Sequence, residues 1–195
     1  DFKPFYLNAD LNYEGVSTKN LFSNDSILID LIKTEILNNI NLNVNINLDV
    51  KDITNINELN NLKLKLSLEQ GNITVSKSQI FWKNDLQIIL KEGFINHDED
   101  KISLIGKLII EAKNIDNFYK SFQIKKKYRK DINQIEMDFV YNLNNSKVKF
   151  DNVKIDGATN KDLSNFIDRY NSRGKVFFNK IIFKNFINNF FISYA

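Results

Sequence analysis

In the stretch 42–50 every second residue is aliphatic (Leu42, Val44, Ile46, Leu48, Val50), and every residue between them is Asn or Asp. Side chains of an extended strand point alternately to opposite faces, so this period of two places one apolar face against a core and one polar face in water. Asn forms strands poorly. Burial of the aliphatic face, not intrinsic preference, must therefore hold such a segment extended.

The same alternation recurs down the chain. Leu62, Leu64, Leu66 and Leu68 alternate with Lys63, Lys65 and Ser67, and Gly71-Asn72 then reads as a hairpin turn. Ile73 and Val75 are followed by Ile80 and Trp82, a change from odd to even positions that predicts a bulge near Lys77 and Ser78. Lys83-Asn84-Asp85 is a turn into Leu86, Ile88 and Leu90, and 96–100 reads as a loop. Ile102, Leu104, Leu108 and Ile110 alternate again, with Gly106 at the missing apolar position. Ile135, Met137, Phe139, Tyr141 and Leu143 form a further face, Asn144-Asn145 turns the chain, and Val148 and Phe150 lead through a second phase shift to Val153 and Ile155. Consecutive strands joined by short polar turns make an antiparallel meander.

Helical spacing appears in fewer places. Leu28, Leu31, Ile32 and Ile36 predict a helix over 25–37. A short helix is predicted over 115–122, opened by Asn114 or Asp116, and another over 160–170 with Leu163, Phe166, Ile167 and Tyr170 on one side. In 175–195 a wide apolar stripe repeats Phe178, Ile182, Phe186 and Phe190, flanked by Phe177, Ile181, Ile187 and Phe191. That is a C-terminal amphipathic helix, expected to pack on the sheet and not to lie on a membrane surface. No composition break divides the chain. The expectation is one domain over 1–195 of α+β class: a curved antiparallel β-meander with one apolar face, covered in part by short amphipathic helices.

Few functional groups are on offer. With no Cys and one His, thiolate chemistry, His–Cys zinc sites and nucleophile–base triads have no residues to build them. His97 stands among Asp98, Glu99 and Asp100, but without the central Gly of a calcium loop, so the run reads as a solvated turn. Glu136 and Asp138 are the candidate acid–base carboxylates, and they fall on the polar side of a strand. There is no Gly-rich phosphate loop. A net charge of +3 is far from the basic stripe of a nucleic-acid binder. The sharpest charge feature, Lys125-Lys126-Lys127-Tyr128-Arg129-Lys130, either contacts anionic headgroups or nucleic acid or, as the favoured reading, is a solvated connection. Trp82 reads as core or rim. No run of apolar residues is long enough to span a bilayer as a helix.

Several blocks resemble the C-terminal part of AsmA-like proteins of Gram-negative bacteria. They are Asn72-Ile73-Thr74-Val75 leading to Ile80-Phe81-Trp82, Ile105-Gly106-Lys107-Leu108-Ile109-Ile110 followed by the helix containing Phe118 and Tyr119, and a hairpin ending in Phe150-Asp151-Asn152-Val153-Lys154-Ile155-Asp156-Gly157. The resemblance implies a periplasmic, non-catalytic module anchored in the inner membrane by a segment outside this chain. It also implies a part in outer-membrane biogenesis and a β-groove that takes phospholipid acyl chains. The residues expected to line such a groove are Leu64, Leu66, Ile88, Leu104, Leu108 and Phe139, with Lys125, Lys126, Lys127, Arg129 and Lys130 facing headgroups. The expected partners are phospholipid and other envelope proteins, with no nucleic acid, no metal and no cofactor. The competing expectation is a structural or protein-binding β-domain whose helices close its core.

Overall fold

The computed structural model describes residues 5–17, 39–98, 101–173 and 180–195. The helix expected over 25–37 lies outside them. The protein is α+β. Among the described residues eight strands form a single sheet in chain order: β1 (Phe5–Val16), β2 (Leu42–Ile53), β3 (Leu59–Glu69), β4 (Asn72–Trp82), β5 (Leu86–Asp98), β6 (Lys101–Ala112), β7 (Gln134–Asn142) and β8 (Lys147–Ile155). Between β6 and β7 lie helix α1 (Ile115–Ser121) and a 3-10 turn (Lys126–Tyr128), and after β8 come α2 (Lys161–Arg173) and α3 (Lys180–Tyr194).

From β2 to β8 the sheet is the antiparallel meander that the alternation predicts. β1 departs from it, because it pairs parallel with β2 from Phe5↔Leu42 to Val16↔Ile53. Its alternation (Phe5, Leu7, Ala9, Leu11, Tyr13) is present in the sequence, but β1 is largely exposed, so no burial argument singles it out. The polar faces of the pair are tied by side chains: Asn45 Nδ2 donates to Asn8 Oδ1 at 3.1 Å, Asn47 Nδ2 to Asp10 Oδ1 at 2.7 Å, and Lys51 Nζ to Glu14 Oε2 at 3.2 Å.

Bulges carry the curvature. Lys77 sits at φ 48°, and Ser78 takes the inward position that Lys77 vacates. There Ser78 Oγ accepts from the Lys65 N–H at 3.1 Å, which satisfies a buried hydroxyl. Asn61 on β3 and Asn152 on β8 also have positive φ, and each accompanies a break in register. An extra residue on one strand bends it and increases its twist. The second predicted phase shift, between Phe150 and Val153, is the Asn152 bulge. Between β5 and β6 the shift falls after Leu90, and beyond it Gly93 faces Gly106. A Cβ on Gly106 would come within 3.1 Å of Gly93 Cα and 2.9 Å of Leu90 Cδ1, so the apolar residue missing at 106 is replaced by the Leu90 side chain.

Two local expectations shift. The hairpin between β3 and β4 turns on Gln70 and Gly71 (φ 51° and 81°), with Asn72 already paired to Glu69. The segment read as a loop over 96–100 is mostly strand, since pairing continues to Asp98↔Lys101. α1 begins at one of the two caps expected for it, since Asn114 Oδ1 accepts from the Asn117 N–H at 3.1 Å. At α2 the capping oxygen is Asn160 Oδ1, which is not among the expected caps and accepts from the Leu163 N–H at 2.9 Å.

The main core lies between one sheet face and the helices. Phe118, Tyr119 and Phe122 from the α1 region, Leu163, Ile167 and Tyr170 from α2, and Phe186, Phe190 and Phe191 from α3 are buried against β4–β8. The α3 stripe is rotated from the one read in the sequence. Phe183 packs on Trp82 at 5.9 Å, whereas Ile181 is 71% exposed. A smaller cluster of Leu48, Val50, Ile53 and Leu62 closes the other end of the sheet.

Candidate functional site

The helices cover only part of the apolar face. The inward residues of β7 and β8, Ile135 to Tyr141 and Val148 to Ile155, are buried under them. On β2–β6 the inward Ile46, Leu64, Ile80, Ile88, Leu90 and Leu104 remain partly exposed, between buried neighbours such as Val44, Leu66, Leu68, Ile73 and Val75. Of these, Ile88 lies under α3 with Phe186 and Phe190, whereas Leu64 and Ile80 pack on the smaller cluster, which contains no helical residue. Apolar surface left at a sheet's concave face is unfavourable in water and invites an apolar occupant.

A cavity of about 210 Å³ lies between the sheet and α3. Its floor is β5–β7, with Ile88, Leu108 and Met137, and its roof is α3, with Phe186 and Phe190. Every lining residue is aliphatic or aromatic. Ile88, Leu108, Ile110, Ala112, Phe183 and Ile187 of the lining are partly exposed, so the cavity meets solvent on that side. Trp82 closes one end, packed against Phe122 at 5.1 Å and edge-on to Phe118 at 6.1 Å. Its Nε1–H is buried and has no hydrogen-bond partner. A cavity of about 150 Å³ lined by such side chains stays dry and takes benzene. This one is larger, and its surface is wholly apolar.

The expected groove residues divide. Ile88 and Leu108 line the cavity. Leu104 is partly buried against the main core, and Leu64 against the smaller cluster. Leu66 (9% exposed) and Phe139 (7%) are core, and the structure does not bring them to the cavity. Met137 and Ala112 line it without having been singled out. Ala112 continues the even phase of β6, and a small side chain in that run is the local sign of unfilled space.

The basic run is split in a similar way. Lys125, Lys126 and Lys127 are exposed on the 3-10 turn. Arg129 Nε instead donates to the Ile124 carbonyl at 2.9 Å, and Lys130 Nζ to the Tyr194 carbonyl at 3.1 Å, so both hold the turn to its neighbours. Lys130 also lies over the Tyr194 ring.

Asp138 sits on the outer face, where it accepts from Asn152 Nδ2 at 2.7 Å and pairs loosely with Lys107 at 3.9 Å, while Glu136 stands opposite Lys154. Neither faces the cavity. The side chains of residues 97–100 lie outside the described residues, so the His97 cluster does too. Burial pushes the phenols of Tyr119 and Tyr170 up to about 12 and also raises that of Tyr141, so all three stay protonated at neutral pH. Tyr119 donates to the Lys130 carbonyl at 2.7 Å, whereas the Tyr170 hydroxyl is buried with no partner.

Compared with protein-family models, with curated proteins and with solved structures, the chain matches none.

Proposed function

We propose that this chain is a non-enzymatic lipid-handling module of the bacterial cell envelope, taking a phospholipid acyl chain along the uncovered apolar face and into the cavity beneath α3. The observation that carries the reading is the wholly apolar cavity continuing the partly exposed face of β2–β6. A peptide would bring backbone N–H and C=O groups that such a lining cannot satisfy, at a cost of several kcal/mol, on the order of 2–7 for each group. A hydrocarbon chain brings none. Lys125, Lys126 and Lys127 would meet an anionic headgroup, each contact near a membrane being worth about 1 kcal/mol. A periplasmic location, an inner-membrane anchor outside this chain, envelope protein partners and a part in outer-membrane biogenesis belong to the same proposal, and rest on the resemblance to AsmA-like proteins.

A second reading, a structural or protein-binding β-domain with a closed core, is favoured by the aromatic cluster already sealed under α1–α3. Native mass spectrometry with lipid extraction separates the two. Stoichiometric phospholipid on the folded chain, displaced by filling the cavity from Ala112, supports the acyl-chain site. A clean apo mass, with no uptake of a fluorescent fatty acid, leaves the closed domain.

A further inference from the structure

The two edges of the sheet are built differently. β8 carries Lys147, Lys149 and Lys154 and is bent by the Asn152 bulge. Asn171 of α2 also occupies both backbone groups of Phe150, accepting from its N–H at 3.0 Å and donating to its carbonyl at 2.6 Å. Charged, bent and covered edges are how sheets avoid pairing with other chains. β1 is less protected: it carries Asp10 and Glu14 but no bulge, and among the described residues nothing covers it. Its 12 residues include no Lys, Arg or Pro, and its register against β2 is unbroken. Among the described residues no strand lies on its outer side. Phe5, Tyr6, Leu7, Leu11 and Tyr13 along it are between 39% and 67% exposed.

We infer that β1 pairs with β1 of a second copy of this chain, antiparallel, about a two-fold axis through Leu11. Such an axis, perpendicular to the sheet, keeps both inner faces on one side, so inward residues must oppose inward residues. The inward residues of β1 are the odd ones, since Leu7, Leu11 and Tyr13 stand beside the buried Val44, Leu48 and Val50. Centred on Leu11, the inner face sets Leu11 against Leu11, Ala9 against Tyr13 and Leu7 against Gly15, large opposite small. The outer face sets Asp10 against Asn12 and Asn8 against Glu14, pairs that can hydrogen-bond. Moving the axis by one residue breaks this. Centred on Asp10, two aspartates face each other, and centred on Asn12, Asp10 faces Glu14 on both sides; like charges directly opposite are destabilising. Centring on Ala9 or Tyr13 shortens the ladder to 5–13 or 10–16, against 6–16 about Leu11. About Leu11 the ladder is long, and each acidic residue faces an amide instead of another acid, so a second copy fits this edge in one register. The inference does not rest on the acyl-chain reading.

The absence of Cys makes the register directly readable. In Leu11→Cys the two sulfurs would sit on directly opposed residues, whose Cα atoms are about 4.5–5.5 Å apart and within disulfide reach. Each step away from residue 11 separates a residue from its own copy by a further ~7 Å along the strand. Under mild oxidation Leu11→Cys should therefore cross-link at least about tenfold faster than Ala9→Cys, Asp10→Cys or Tyr13→Cys. The unsubstituted 195-residue chain should show a concentration-dependent dimer at sedimentation equilibrium, lost in Leu11→Lys while its circular dichroism is retained. A monomer at all concentrations, a dimer that survives Leu11→Lys, equal cross-linking along the strand, or a maximum at another residue would each overturn the assignment.

Discussion

Replacing Ala112 by Phe tests the cavity directly. Ala112 lies at the end of β6 on the cavity lining, and the space beside it, about 210 Å³, exceeds the ~150 Å³ that holds a benzene molecule. A phenyl ring placed there would bury roughly 1.5–3 kcal/mol of apolar transfer free energy. Ordering the side chain costs about 0.5–1 kcal/mol of that. The expected net gain is ~1.5 kcal/mol, and Ala112→Leu, with fewer added carbons, should give about half of it. In a chain of this size such a gain raises the melting temperature by about 3–6 °C, and it moves the urea midpoint upward without changing the m-value. The comparison requires delipidated protein, since a bound ligand stabilises by mass action and would mask the gain. The same variant should lose fatty-acid uptake, because the ring occupies the site. Destabilisation by 1–3 kcal/mol, the usual cost of overpacking, would show that the space is already filled and would refute the reasoning.

Further expectations follow from the same contacts. Gly106→Ala puts a Cβ against the Glu92 carbonyl, which cannot yield without opening the β5–β6 ladder, so it should cost about 3 kcal/mol, while Gly93→Ala, with its nearest contacts at 3.1 Å, should cost nearer 1 kcal/mol. The reverse order in urea unfolding would contradict the geometry of the bulge. Tyr170→Phe removes a buried hydroxyl without a partner and should leave stability unchanged or raise it by about 1 kcal/mol, whereas Tyr119→Phe loses the bond to the Lys130 carbonyl and should cost about 1 kcal/mol. Both phenols titrate near 12 when folded and near 10 when unfolded, so the native state holds its protons more tightly. Their stabilising contribution is complete below pH 10 and is lost as pH rises from 10 through 12. Either Phe variant should therefore show a shallower loss of stability over that window in alkaline unfolding.

Period-two alternation was sufficient to place seven of the eight strands, because each has one face that must leave water, and the spacing of aliphatic residues records which face. It also placed the bulges at Lys77 and Asn152, since an inserted residue switches the apolar positions between odd and even. Asn114 marked one helix start through the local chemistry of unpaired N–H groups, while Asn160, the cap of the next, is not among the expected caps. β1 shows the limit of that logic. Its alternation is as regular as that of β2, but it runs parallel to its neighbour and stays exposed, and parallel pairing is settled by where a connection returns the chain, not by local pattern. The cavity shows the same limit. Ile88 and Leu108 reach it while Leu66 and Phe139 do not, although all four sit at equivalent positions in their strands. What separates them is where α3 crosses the sheet and how far the bulges turn each strand. Those are properties of packed elements, and no residue carries them alone.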